Sequence, residues 1–447
     1  DGTAAGTGQV RDLRPGSIGS LPAKFVASGS LAYFVADDGT AGPELWRTDG
    51  TAAGTALARD VNPGAAGSGA TGLVAFGGGI LFAADDGTRG TEVWRSDGTA
   101  AGTAIVRDIE APVRSSFPTA SVAVGNRAVF SVTTGPNAGV WATDGSDAGT
   151  VLLTAATQIK TSGYTVNQDA GLPTYLVSRD VLYWYGTGGL WRTDGTPAGT
   201  YLLKALAGNT ASQAAFASAL ADVGGQLFFS ATGPTAGDEL WTSDGTPDGT
   251  YLVADLGPGL TNNVPNNGSP RNLVGVGDAA YFTSLGRLYR SDGSAAGTVP
   301  IIPGTTFATT SRLTAFAGAA YLFAATTTGG PLVMWRTDGT AAGTAQVAGG
   351  AFKTDSSGVG RPAGTVFGGS LYFIGTRADG ASGTWRLDPG SDAPVLVAAV
   401  QAEGPTVVRD RLYFVGNRYG LYGLDLGGAG GPTLLKTIPS SVTSIDG

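Results

Sequence analysis

The sequence runs to 447 residues, of which 74 are Gly and 23 are Pro. That density of backbone breakers leaves no room for long helices, while 42% hydrophobic content with 17 Phe, 14 Tyr and 8 Trp supplies a folded core. Neither His nor Cys occurs, which excludes Ser-His-Asp triads, Cys nucleophiles, haem held by His or Cys, and zinc sites of the usual kind; oxygen chemistry remains, including Ca²⁺. A net charge of −8 at pH 7 repels phosphate, so no nucleic acid partner is expected. No apolar run of about 18 residues is present, so no transmembrane segment is expected. The chain opens inside a motif at Asp1-Gly2-Thr3, with no initiator Met, and reads as a processed or partial product; any export signal would lie upstream.

In chain order, residues 1–13 read as a lone outer strand, and a repeat then governs the rest. The string Leu45-Trp46-Arg47-Thr48-Asp49-Gly50-Thr51 recurs with its Asp at Asp1, Asp49, Asp97, Asp144, Asp194, Asp244, Asp292, Asp338, Asp388 and Asp425. Three residues before these stand Trp46, Trp94, Trp141, Trp191, Trp241, Tyr289, Trp335, Trp385 and Tyr422. Within one period the grammar is that of four short strands: residues 72–76, a Gly turn, 80–84, the Asp85-Asp86-Gly87 turn, 92–95, the Asp97-Gly98 loop and 104–107. The pattern predicts an all-β fold, a β-propeller of four-stranded antiparallel blades, with nine complete repeats of about 48 residues. The blades fall at about 22–61, 70–109, 117–155, 172–206, 219–256, 271–302, 310–348, 362–399 and 404–438. Residues 440–447 read as the inner strand of a split tenth, and the whole is taken as a single domain over 1–447, with closure at nine or ten blades left open.

The repeated side chains have mechanical roles. Each Asp accepts hydrogen bonds from backbone N–H groups one or two residues on, Gly50 and Gly54 allow positive φ, and the Thr hydroxyls serve the same backbone groups. The Trp is expected as a wedge between adjacent sheets. The Arg that follows it pairs with Asp12, Asp60, Asp108 or Asp255, or lies in solvent.

Glu44-Leu45-Trp46-Arg47-Thr48-Asp49-Gly50-Thr51 resembles the signature of the bacterial ELWxxDGT repeat proteins, over essentially the whole chain. Ser294 in place of Thr, Pro389 after Asp388 and Leu426 after Asp425 depart from it. The resemblance implies an exported or cell-surface protein and carries no established activity.

In an up-and-down blade the Asp-Gly-Thr loops lie on one side, and the links between blades lie on the other with the second hairpin turn. Those links vary, so their side is the candidate binding face. Candidate ligand-binding residues are Tyr164, Asn167, Gln168, Asp169, Asn209, Asn262, Asn263, Asn266 and Asn267, whose amides and hydroxyls suit sugar hydroxyls or a polar protein surface. The paired carboxylates Asp37-Asp38 and Asp85-Asp86 could hold Ca²⁺; no other cofactor is expected. Tyr183-Trp184-Tyr185 could stack on a sugar but, inside a second strand, reads better as core.

Three functions are compatible with this reading. The first is a non-catalytic extracellular or bacterial cell-surface adhesion propeller that binds a glycan or protein, with no catalytic residues. The second is a self-associating matrix component. The third is a propeller-type glycoside hydrolase or lyase, for which the acid–base supply would be mostly Asp because only Glu44, Glu92, Glu110, Glu239 and Glu403 are present.

Overall fold

The computed structural model describes residues 8–111, 114–159, 175–206, 220–233, 236–261, 264–353, 364–398, 403–408, 411–416, 420–425 and 433–437, with backbone alone at residues 120, 353 and 398 and beyond. Among these residues the protein is all-β and propeller-like: nine antiparallel units of four strands follow one another, each strand pairing with its neighbour in sequence, save that the first strand of the seventh is in two pieces, Thr309–Thr310 and Thr314–Phe316, both paired with Ala319–Ala325. Blade 1 comprises Ala23–Ser28, Leu31–Asp37, Pro43–Thr48 and Ala56–Arg59, and blade 2 comprises Thr71–Phe76, Gly79–Asp85, Thr91–Ser96 and Ala104–Arg107. Blades 3 to 9 span 118–154, 175–205, 220–254, 271–300, 309–353, 365–398 and 403–437.

Two compact units divide the chain. One is built from Gly8–Gly163 and Pro173–Ala205 and holds blades 1 to 4; the other is built chiefly from Leu206–Ile445 and holds blades 5 to 9. In the first unit the first strands of blades 1, 2 and 3 lie side by side, and in the second those of blades 6, 7 and 8 do the same. This is how blades meet around an axis, inner strand to inner strand.

The second strands explain the burial. Leu31–Asp37 and Gly79–Asp85 carry apolar residues on both faces, since each is covered by a neighbouring sheet on one or both sides. The aromatic before each Asp fills the gap. Trp94 packs in one cluster with Tyr33, Val35 and Leu45 of blade 1. Trp141 joins Leu81, Val93 and Val106 of blade 2, and Trp191 joins Val129 and Val140 of blade 3. Tyr289 meets Phe228 and Leu240 of blade 5, Trp335 meets Tyr281 and Leu288 of blade 6, and Trp385 meets Phe323 and Phe352 of blade 7. The wedge expected from the sequence is therefore observed at these six positions, each packed against the preceding blade of its own unit.

Two expectations change. Residues 8–13 form no strand, because they make no ladder with a neighbour; they attach by side chains, with Arg11 donating to the Thr55 carbonyl and Leu13 packing beside Phe34, Ala36 and Trp46. Residues 440–447 lie outside the described residues. The boundary between blades 7 and 8 is also not clean. The last strand of blade 7, Ala345–Lys353, runs on to pair Phe352 with Arg377 and Lys353 with Thr376 of blade 8, merging the two sheets. Gly349 and Gly350, at φ of 110° and 94°, let the strand change course.

A side chain with this much area packed against a neighbouring sheet should be costly to lose. Trp94→Ala is expected to cost about 3–5 kcal/mol, read as a lowered urea midpoint, with Trp94→Phe recovering part of the loss.

Candidate functional site

The loop between the third and fourth strands is the most regular feature. In blade 1, Asp49 Oδ1 accepts from the Thr51 backbone N–H at 2.9 Å and the Thr51 hydroxyl at 2.7 Å. The Thr51 Oγ1 in turn accepts from Gly54 N–H at 2.9 Å, and Thr55 Oγ1 donates to Thr51 O at 2.7 Å. The same bonds recur at Asp97, Asp144, Asp194, Asp244, Asp292 and Asp338. Ser294 supplies its hydroxyl as Thr does elsewhere, so its departure from the repeat changes nothing in the lock. Asp388 differs: Gly390 stands two residues on, with no hydroxyl to offer, and the carboxylate accepts from the Ser370 hydroxyl.

The two glycines of the loop do different work. Gly50 has φ of 91°, as expected, but Gly54 does not adopt positive φ. A Cβ on Gly54 would lie 2.0 Å from the Asp49 carboxylate, and the equivalent glycines of the other six hairpins are as tight. Close approach, not backbone handedness, demands the second glycine. The first also docks its loop: a Cβ on Gly98 would lie 2.7 Å from Arg47 of blade 1, and one on Gly339 would lie 2.3 Å from the Tyr281 hydroxyl of blade 6.

On the opposite side, the repeated Glu organises the links. Glu44 is fully buried and accepts from Asn62 N–H at 3.1 Å and from the Ser68 hydroxyl at 2.6 Å. Glu92 accepts from Ile109 N–H at 3.1 Å, Ser116 N–H at 2.9 Å and the Ser116 hydroxyl at 2.7 Å. Glu239 accepts from Leu256 N–H and Gly268 N–H, both at 2.6 Å. Each carboxylate thus clasps the start and the end of the link leaving its own blade. Burial pushes all three above the ordinary glutamate value, with Asp60, Asp108 and Asp255 adding repulsion. These Asp are thus neighbours of the Glu. The Arg after the aromatic finds other partners: Arg386 reaches Asp388 at 3.0 Å, and Arg192 and Arg290 lie 3.9 and 4.0 Å from Asp194 and Asp278.

A second Arg series, not anticipated from the sequence, bolts blades together. Arg59, ending blade 1, donates to Thr103 O at 2.7 Å and lies 5.9 Å from the Trp94 ring centre; Arg107 does the same to Thr150 O at 2.7 Å and Trp141 at 5.8 Å. The recurrence of Arg-Asp at 11–12, 59–60 and 107–108 is the signal that could have found it.

Of the candidate ligand residues, Tyr164, Asn167, Gln168, Asp169, Asn209, Asn262 and Asn263 lie outside the described residues. Asn266 accepts the Thr261 hydroxyl at 2.6 Å and donates to Pro258 O at 3.3 Å, while Asn267 Oδ1 accepts Asp238 N–H at 2.7 Å. They brace a small hairpin within the link, Leu260–Thr261 paired with Val264–Pro265, on which Leu260 and Val264 are 65% and 62% exposed. Asp37 accepts from Gly39 N–H and Arg14; Asp38 accepts from Thr40 and Ala41; Asp86 accepts from Thr88 and Arg89; Asp85 accepts from Gly87 N–H. Among the described residues no group of three or more carboxylates gathers in a way that could hold a metal. Trp184 is fully buried and stacked on Trp191 at 6.1 Å, which makes it core.

The two carboxylate series titrate with opposite sign. Hydrogen bonds from Thr99, first its side chain and then its backbone, hold Asp97 below the ordinary Asp value; its stabilisation is present above that value and lost as pH falls through the lowered one. Glu92 is raised, so the native state holds its proton longer than the unfolded chain, and stability falls as pH rises from the ordinary Glu value through the raised one. Urea midpoints followed across pH should therefore show Asp97→Asn flattening part of the acid limb, and Glu92→Gln flattening part of the decline on the other side. Glu92→Gln is further expected to cost about 1–3 kcal/mol at neutral pH, because an amide leaves one of the link donors unpaired.

No protein-family model matches the sequence, and no curated protein matches it. Among solved structures, the chain is similar to a puromycin-hydrolysing peptidase of Mycobacterium tuberculosis, with 15% identity and a TM-score of 0.34 over 78% of this chain and 59% of that one. It is similar to BamB from Moraxella catarrhalis, with 14% identity and a TM-score of 0.35 over 82% and 97% of the two chains. It is also similar to the GH74 enzyme of Niastella koreensis, with 12% identity and a TM-score of 0.32 over 91% and 68%. The chain spans less than two thirds of the mycobacterial peptidase, and likeness of this degree assigns neither activity nor partner.

Proposed function

We propose that this chain is a non-catalytic binding scaffold that recognises a glycan or protein through the irregular links on one side of its blades, at a bacterial cell surface or outside the cell. The location rests on the resemblance of the repeat to exported ELWxxDGT proteins. The recognition reading is carried by the link at 257–270, where a braced hairpin lifts Leu260 and Val264 into water. An apolar pair held out by internal hydrogen bonds costs little ordering on binding, which is what a recognition element requires. The repeated acidic groups support the same reading, because they are spent on the fold itself: the hairpin Asp on their own loops, and Glu44, Glu92 and Glu239 on the links.

The test is binding of the purified chain to a glycan array and to isolated bacterial envelope. Leu260→Ser with Val264→Ser, both at exposed positions, is expected to lose binding by tenfold or more, about 1.4 kcal/mol, while Asp194→Asn keeps it. Absence of binding to either surface overturns the reading, as does turnover of a glycoside or peptide panel by the parent chain. A mass in light scattering that exceeds the monomer, and returns to it in the double variant, would replace the reading with self-assembly.

A further inference from the structure

The repeat places an unusual chemical load in water. Eleven Asp-Gly pairs lie among the described residues, seven of them in the hairpins between third and fourth strands. Asp-Gly is the dipeptide most prone to isomerise, because no side chain shields the glycine nitrogen. That nitrogen attacks the Asp Cγ, water leaves, and a five-membered succinimide forms. Water then reopens the ring at either carbonyl, so the atoms are restored but the backbone can be rerouted through the side chain as isoaspartate.

In the seven hairpins this nitrogen is engaged. Gly50 N–H donates to Thr48 Oγ1 at 2.9 Å, Gly98 to Ser96 Oγ at 3.0 Å and Gly145 to Thr143 Oγ1 at 2.9 Å. The same bond recurs from Gly195, Gly245, Gly293 and Gly339 to Thr193, Ser243, Ser291 and Thr337. Each acceptor hydroxyl is itself fixed by a second one seven residues on, as Ser96 Oγ is by Thr103 Oγ1 at 2.7 Å, and Ser96 and Thr103 are both buried. The other reacting partner is held as well, since Asp97 Oδ1 accepts the backbone N–H and the hydroxyl of Thr99 at 2.8 and 2.7 Å. For the glycine nitrogen to reach Cγ, the bond to the preceding hydroxyl has to break and the carboxyl has to rotate out of its two bonds.

We propose that the Ser or Thr preceding each hairpin Asp guards the Asp-Gly link against succinimide formation, so that these exposed pairs persist as ordinary peptide. The four remaining described pairs engage the same nitrogen with other acceptors: Gly39 with Asp37, Gly87 with Asp85, Gly249 with Thr246 and Gly380 with the Arg377 carbonyl. The repeat thus couples its turn geometry to chemical durability, a property independent of what the links bind.

The experiment compares the full parent chain with Ser96→Ala and Ser96→Thr during prolonged incubation at neutral pH and body temperature. Isoaspartate is located by electron-transfer fragmentation of the digested protein. Ser96→Ala is expected to raise the rate at Asp97 about tenfold, the effect of losing about 1.4 kcal/mol of protection. Asp144 and Asp194 in the same molecule should stay at their parental rates, and Ser96→Thr should match the parent. An unchanged or slower rate at Asp97 overturns the proposal. So does a rise of equal size at all three sites, because general loosening of the fold would then account for it.

Discussion

A sheet of four short strands with apolar residues on both faces has no stable existence in water until something covers it, and in this protein the cover is the next sheet. Within each unit the contact is made by an aromatic inserted backward into the preceding blade. Trp94, Trp141 and Trp191 in one unit and Tyr289, Trp335 and Trp385 in the other occupy the same place. All else in the architecture keeps that wedge at its depth and angle. The Asp-Gly-Thr loop follows immediately after it, locking the strand that carries it, and Gly98, Gly145, Gly195, Gly293 and Gly339 in that loop rest against side chains of the previous blade.

Polar groups then complete what dispersion and burial begin. Arg59 and Arg107 reach over the wedge of the following blade to its hairpin carbonyl, so a cation, a ring and a backbone acceptor meet at one junction. Beneath, Glu44, Glu92 and Glu239 gather the two ends of each link and hold them at a fixed separation. Burying a carboxylate is expensive, and burial pushes the pKa of each of these Glu upward. It is tolerated because several donors point at each charge, and leaving those backbone N–H groups unpaired would cost as much.

This division of labour bears on function. In seven of the blades one side is a repeated, self-satisfied loop with little chemistry left to offer. The other side carries links that differ, and where Glu44, Glu92 or Glu239 clasps a link it fixes only the ends. The link at 257–270 uses that freedom to raise a hairpin, while the link between Arg59 and Thr71 stays short and held by Asn62, which donates to Gly67 O at 2.9 Å. Variation between clasps is where recognition can evolve without disturbing the core.

The repeat period, the alternation of short apolar runs with Gly and Asp turns, and the Trp-to-Asp spacing were enough to read out the strand order, the four-strand unit and the buried wedge. These follow from local pattern, because strand pairing between sequence neighbours needs only a turn of the right chemistry. The role of Asp49 was legible for the same reason, being settled within seven residues. What the sequence left open depends on contact: Glu44 meets Ser68 and Arg59 meets Thr103 across the links and blades, and even within the loop Gly54 has no room for a Cβ only because the Asp49 carboxylate folds over it. Glu44 read as one letter of the repeat and Gly54 as a positive-φ turn residue, and only the folded structure assigned them as a clasp and a point of contact. The physical reason is that burial and distance, which decide what a carboxylate or a missing Cβ does, are properties of the folded chain and not of its letters.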